Sequence, residues 1–187
     1  MRKPLVIGLF SSVILAQIAS PVSMIVKRES TLRHGIPFRF KTAPVDPYDA
    51  FRGRYVALRV EAHQVIRPQG IALRRGQQVY AHLAVDEQGF ANMAQITTRK
   101  PQGAAFLTAK VASLKGNRVS LDLPMDRYYL EETVAPRAEQ VYRTHSGRNK
   151  QDAYVIVRIQ DGFAVIEGLY VGGQRIEDVL QQKRGNS

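Results

Sequence analysis

An uncharged run of 23 residues, from Pro4 to Val26, constrains the fold of this chain more than any other feature. The run begins directly after Arg2-Lys3 and ends at Lys27-Arg28-Glu29. A helix of about 20 residues, rising 1.5 Å per residue, crosses the roughly 30 Å hydrocarbon layer of a membrane. Helices of small soluble domains are seldom apolar on every face. The run therefore predicts a membrane helix and not a buried core helix.

Such a segment is either a retained anchor or a cleaved signal peptide, because both begin with basic residues followed by an apolar stretch. Small residues at Ala19 and Ser20 suit cleavage, but Gln17 and Ile18 stand two positions before them. The small-x-small pair of a cleavage site is therefore missing, and the run continues beyond Ser20. We expect a retained transmembrane anchor over residues 1–28, with a signal peptide as the alternative.

The orientation of the anchor is not fixed by its flanking charges, because two basic residues precede the run and two follow it. The very short N-terminal tail favours an N-inside arrangement. We therefore expect a single-pass protein of the inner (cytoplasmic) membrane. Its domain, residues 29–187, would lie outside the cytoplasm, in the periplasm of a cell with two membranes.

The formal net charge is +11 and the chain has no Cys. The basic residues are dispersed without a Lys/Arg-rich block, which disfavours nucleic-acid binding and suits an anionic lipid surface as a partner. Without Cys there is no disulfide, thiol nucleophile or Cys-based zinc site. The histidines are isolated from one another, so we predict neither a metal site nor a cofactor; they are His34, His63, His82 and His145.

Beyond the anchor, hydrophobicity alternates with a period of two, and turn residues recur every eight to twelve positions, which indicates β-strands. Three hairpin turns are predicted, at Asp86–Gly89, Lys115–Asn117 and Asp161-Gly162. We predict a mainly β fold with minor α: a single antiparallel β domain, a half-barrel or sandwich, with a short helix covering one end.

Two later segments have helical patterns, "TVAPRAEQVYR" and the C-terminal "IEDVLQQKR". Thr133 is the predicted N-cap of the first, with Pro136 tolerated in the first turn. Between them, the polar "THSGRNKQ" predicts a mobile loop.

The segment "APVDPYDAFRGRYVALRVE" contains Asp46-Pro47, Arg52-Gly53, Tyr55 and Leu58. These residues resemble the signature of the GDYXXLXY family, and "RYYLEETVAPRAE" and the closing hairpin agree with it. Two positions depart from the pattern: Arg54 replaces an Asp and Val60 replaces a Tyr. The resemblance implies an uncharacterised, membrane-anchored bacterial envelope protein, often encoded near a multi-pass membrane protein.

Two polar clusters are the candidate site. The first, Asp46 to Tyr55, has the composition of a tight turn leading into a strand, and the second, Asp126 to Glu132, precedes the first predicted helix. They form either a structural corner, which we favour, or a polar ligand site with Arg as a clamp for carboxylate or phosphate. We expect the clusters to touch, with Arg127 paired to a carboxylate of the first cluster and one Tyr of the second in the core. The candidate residues are Asp46, Asp49, Arg52, Gly53, Tyr55, Arg127, Tyr128 and Glu132.

No catalytic constellation is evident, so we expect a binding or accessory module for an integral membrane protein and assign no catalytic residue. One alternative is a hydrolase similar to signal peptidases, with Ser30 as nucleophile and Lys110 as base. The other is a domain that binds lipid or an envelope polymer in an apolar groove.

Overall fold

The computed structural model describes residues 3–43, 55–103, 105–147 and 150–185. It begins with a single helix, α1 (Lys3–His34), which contains Pro21 without ending there. Its large apolar side chains are exposed between Phe10 and Val26, with 66% of Phe10 and 69% of Met24 accessible. The stretch Phe10–His34 has the length and apolarity of a membrane-spanning helix.

Two five-stranded antiparallel sheets and a two-stranded pair follow α1 and form a nearly closed, barrel-like domain. The first sheet has the order β12-β11-β10-β1-β3, the second has the order β4-β8-β7-β5-β6, and β2 pairs with β9. The strands are β1 (Ile36–Ala43), β2 (Tyr55–Ala57), β3 (Arg59–Val60), β4 (Gln64–Ile66), β5 (Gln78–Val85), β6 (Ala91–Thr97), β7 (Phe106–Lys115), β8 (Arg118–Asp122), β9 (Arg127–Tyr129), β10 (Ala153–Gln160), β11 (Phe163–Val171) and β12 (Gln174–Arg175).

The period-two pattern produces the core, because alternate residues of each strand face inward. Phe38 and Phe40 of β1 stand opposite Val157 and Val155 of β10, and all four are buried. The predicted mainly β, antiparallel fold is therefore confirmed.

All three predicted hairpin turns are confirmed. β5 and β6 are joined through Gly89, and β7 and β8 through Gly116, both with positive φ. Asp161 and Gly162 join β10 to β11 with φ of 50° and 80°. The Gly162 carbonyl also accepts a hydrogen bond of 2.9 Å from the amide of Thr108, which connects the two large sheets.

Both predicted helices are present, as α2 (Ala135–Ser146) and α3 (Ile176–Gly185). The predicted N-cap is wrong: Val134 occupies that position and no side chain caps the helix, which has Pro at its N-terminal end. The predicted loop is also wrong for its first three residues, which extend α2 to Ser146. Burial of Tyr142 and Ser146 against the domain accounts for the longer helix.

Candidate functional site

The end of the first cluster and the start of the second pair as neighbouring strands. In the β2–β9 ladder, Tyr55 stands opposite Tyr129 and Val56 stands opposite Tyr128. Directly opposed residues share a face, so Val56 and Tyr128 are buried while Tyr129 is 62% exposed. The expected contact between the clusters is thus confirmed at these strands, as is the expectation that one Tyr of the second cluster lies in the core.

The outer face of this ladder holds one arginine in a fixed orientation. The Arg127 guanidinium carbon lies 5.2 Å from the centre of the Tyr55 ring, and the Tyr55 and Tyr129 rings are 5.5 Å apart. Arg127 Nε is also 3.5 Å from a carboxylate oxygen of Asp126. Hydrogen bonding with Tyr129, and then the charge of Asp126, raises the pKa of Arg127. The group is therefore a permanent cation at the surface.

The inner face joins β9 to α3. The Tyr128 hydroxyl donates a hydrogen bond to Glu177 Oε1, and the other carboxylate oxygen lies 3.2 Å from Arg175 Nε. Burial, followed by the hydrogen bond with Glu177, raises the pKa of Tyr128 to about 12. Tyr128 is therefore a neutral donor that holds α3 against the corner.

Polar contacts extend from this corner toward α1. Arg175 donates to the carbonyl of Glu167 at 3.1 Å, and the Glu167 carboxylate accepts from Arg158 Nε at 2.5 Å. Arg158 also donates to the carbonyl of Gly35, the residue after α1, at 3.2 Å. The corner and the end of the apolar helix therefore belong to one connected network.

Four of the sequence-predicted site residues, Asp46, Asp49, Arg52 and Gly53, lie between residues 44 and 54, outside the described part of the chain. Glu132 is exposed in the turn before α2. Arg127 contacts an acid of its own cluster, Asp126, and its expected pairing with a carboxylate of the first cluster falls on the undescribed residues. The choice between a corner and a ligand site thus stays a prediction.

A cleft beside Arg127 was not predicted from the sequence. One part, of about 300 Å³, extends to Arg28 on α1, and a second part, of about 500 Å³, extends to Lys110 on β7. We call the two parts together the junction cleft. Both are lined by Pro124, Asp126, Arg127 and Ala164.

In the sequence pattern, Arg28 marks only the end of the anchor and Glu177 is only one residue of a predicted helix. Position gives a signal for Arg28, since it is the first Arg after the apolar run. Glu177 has no such signal, because 49 residues separate it from Tyr128.

Ser30 and Lys110, the nucleophile and base of the hydrolase alternative, have different surroundings from each other. The Ser30 hydroxyl donates to Gln160 Oε1 at 3.4 Å, while Lys110 is exposed and faces the junction cleft. A Lys that acts as a base is normally buried or beside another cation, whereas Lys110 is exposed. Among the described side chains, no group of three or more His, Asp or Glu could hold a metal ion.

Comparison with known proteins gives one relationship. No curated protein and no solved structure matches the chain. The family model described as "GDYXXLXY protein" matches residues 17–169, which include the apolar helix from Gln17 onward, both clusters and most of the closing hairpin. This match covers most of the sequence, so the chain belongs to the GDYXXLXY family.

Proposed function

We propose that this protein is a membrane-anchored envelope protein whose β domain serves as a binding or accessory module for an integral membrane protein. The observation that carries the proposal is the continuity of α1, which is apolar and exposed at one end and fixed to the domain at the other. A polar, flexible linker would normally separate an anchor from an independent soluble domain.

The last turns of α1 pack against the first sheet. Thr31 is 1% exposed and its hydroxyl donates to the carbonyl of Lys27 at 2.9 Å. The Lys27 ammonium lies 4.5 Å from the centre of the Phe163 ring, at the start of β11. The contacts of Ser30 with Gln160 and of Lys27 with Phe163 hold the domain at one tilt relative to the helix. A fixed tilt suits a module that must present one surface to a neighbouring membrane protein.

The membrane part of α1 has a face suited to helix packing. Small residues recur at spacings of four, three and four, so they share one side of a helix. Small residues allow helix backbones to approach closely in lipid, where there is no hydrophobic force between helices. The opposite side carries large aliphatic residues such as Ile14 and Ile18. The small residues are Ser12, Ala16, Ala19 and Ser23.

The test is purification of the tagged full chain from membranes solubilised in a mild detergent. We expect a multi-spanning membrane protein to purify with it. The double substitution Ala16→Leu and Ala19→Leu should reduce recovery of that protein about tenfold, equivalent to about 1.4 kcal/mol, since the leucines hold the helix backbones apart. The matched control, Ile14→Leu with Ile18→Leu, should leave recovery unchanged.

Two results would overturn the proposal. One is that no integral membrane protein purifies with the wild-type chain, even when the proteins of the membrane are cross-linked before solubilisation. The other is hydrolysis of a peptide substrate by the purified chain that disappears on Ser30→Ala, which would favour the enzyme alternative.

A further inference from the structure

We propose that the junction cleft binds the headgroup of an anionic phospholipid from the leaflet that the domain faces. The inference rests on the proposed membrane insertion of α1 but not on the existence of a protein partner. It assigns a class of ligand to the surface next to Arg127. The sequence pattern alone allowed either a structural corner or a polar ligand site there.

The depth of the cleft in the membrane follows from the sequence of α1. The exposed apolar surface ends at Val26, and Lys27 and Arg28 are the first charges after it. At 1.5 Å per residue, Arg28 lies only about 3 Å further along the helix axis than Val26. Basic residues at this position lie among lipid headgroups. Because Arg28 lines the cleft, the cleft opens at headgroup level.

The charges around the cleft favour an anion. Its two parts are lined by Arg28, Arg127 and Lys110, against the carboxylates of Asp122 and Asp126. Asp126 is already engaged by Arg127, at 3.5 Å. Each basic residue near an anionic membrane surface contributes about 1 kcal/mol of attraction. Three cations against two carboxylates leave a net charge of +1 in the cleft, which attracts a phosphate group.

Arg127 is oriented before any ligand arrives. The Tyr55 ring lies 5.2 Å from its guanidinium carbon, and Asp126 holds its Nε at 3.5 Å. Its side chain is nevertheless 46% exposed, so part of the planar donor group remains accessible. Guanidinium binds phosphate through two parallel hydrogen bonds, and a restrained side chain loses less entropy in forming them.

The remaining walls of the cleft suit the rest of a lipid headgroup. Pro124 and the β11 residues Ala164, Val165 and Ile166 provide apolar surface beside the two arginines. A glycerol backbone can contact this surface while its acyl chains stay in the membrane next to α1. A soluble phosphate compound would use only the charged part of the cleft, so a lipid is the better match.

The test is native mass spectrometry of the full chain in detergent, with added phosphatidylglycerol or, separately, phosphatidylcholine. We expect bound phosphatidylglycerol in clear excess. Arg28→Gln and Arg127→Gln should each lower its binding about fivefold, the ratio equivalent to one basic residue near the surface. Arg75→Gln, at an exposed turn and outside the lining of the cleft, is the matched control and should have no effect. Glycerol phosphate added at the same concentration should compete poorly.

Equal binding of the two lipids would overturn the inference, as would equal losses with Arg75→Gln, which would indicate unspecific surface charge. Effective competition by glycerol phosphate would assign the cleft to a soluble phosphate compound instead. Arg28 lies on an exposed face of α1, so the Arg28→Gln variant should fold normally. If Arg127→Gln misfolds, Arg28→Gln still tests the inference. Extraction of the protein from membranes by alkaline carbonate would contradict insertion of α1, and hence the proposed function, separately from the lipid result.

Discussion

Tyr128 is buried, and its hydroxyl donates a hydrogen bond to Glu177. Its pKa is raised to about 12 by burial and by the hydrogen bond to Glu177, so the folded state keeps a proton that the unfolded chain loses near pH 10. Stability from this group is therefore complete below pH 10 and decreases as the pH rises toward 12. A shift of two units corresponds to about 2.7 kcal/mol at most.

We predict that Tyr128→Phe lowers the free energy of unfolding by about 1–2 kcal/mol at neutral pH, because Glu177 loses its donor. The difference from the wild type should then shrink between pH 10 and 12, where the wild type alone is penalised for ionising the buried hydroxyl. Urea unfolding of the full chain in detergent, at a series of pH values, measures both effects. Tyr129→Phe, at the exposed edge, is the control; parallel pH curves for wild type and Tyr128→Phe would contradict the assignment.

At the scale of the elements, the β10–β11 hairpin connects two strands and also joins the two large sheets. Its Gly162 has φ of 80°, and an added Cβ would overlap the Phe106 ring and lie 2.5 Å from Thr108 Oγ1. The same residue bonds to β7 across the gap between the sheets. The turn therefore has both a conformational and a packing requirement for glycine.

We predict that Gly162→Ala lowers the free energy of unfolding by about 3 kcal/mol, as the sum of left-handed backbone strain and overpacking. Gly116→Ala is a matched control, since it also has positive φ but open space around its Cβ position. It should lower stability by only about 1 kcal/mol. Thermal unfolding of the two variants provides the comparison, and equal losses would show that packing at Gly162 is unimportant.

The junction of α1 with β1 is a second element with a close approach. At Gly35, an added Cβ would overlap the carbonyl oxygen of Thr31 and lie 3.1 Å from the Cβ of Arg158. We predict that Gly35→Ala shifts or loosens α1 against the first sheet. The chain has no Cys, so spin labels at Met24→Cys and Ile66→Cys report one distance between helix and domain.

This distance should have a narrow distribution in the otherwise wild-type chain and a broader or displaced one with Gly35→Ala. Gly173→Ala, where a Cβ meets nothing within 4 Å, serves as the control for this measurement. A broad distribution without Gly35→Ala would mean that helix and domain move independently.

At the scale of the whole molecule, α1 is fixed to the domain, so the orientation of the helix in the membrane sets the side on which the domain lies. If the residues before the apolar run stay on the cytoplasmic side, the domain should lie outside the cytoplasm. We predict that alkaline phosphatase fused after Ser187 is active in intact cells, because this enzyme acquires its disulfides only in an oxidising compartment. A full-length fusion that is inactive in cells and active after oxidative refolding would place the domain in the cytoplasm.

Among the described residues, the contact between the two clusters was predictable, because pattern and family signature coincide there. The contact between Tyr55 and the second cluster follows from two motifs that belong to one family pattern. The junction cleft was not predictable, because α1, the segment from Pro124 to Tyr129 and β11 meet only when the first sheet is assembled. The extent of α2 was mispredicted for a related reason, since buried Tyr142 and Ser146 outweigh the local polarity of their neighbours.

The amino-acid sequence was enough to infer the apolar helix, the antiparallel strands, the three hairpin turns and the family. Each of these depends on residue types a few positions apart: an uncharged run, a period of two, or Gly where φ is positive. Three contacts are seen only in the folded chain: Tyr128 binds Glu177, Gly162 joins the two sheets, and Arg28 and Arg127 line one cleft. The physical reason is that these contacts join segments far apart in the chain, so they depend on how the strands pair and close around the core and not on local spacing.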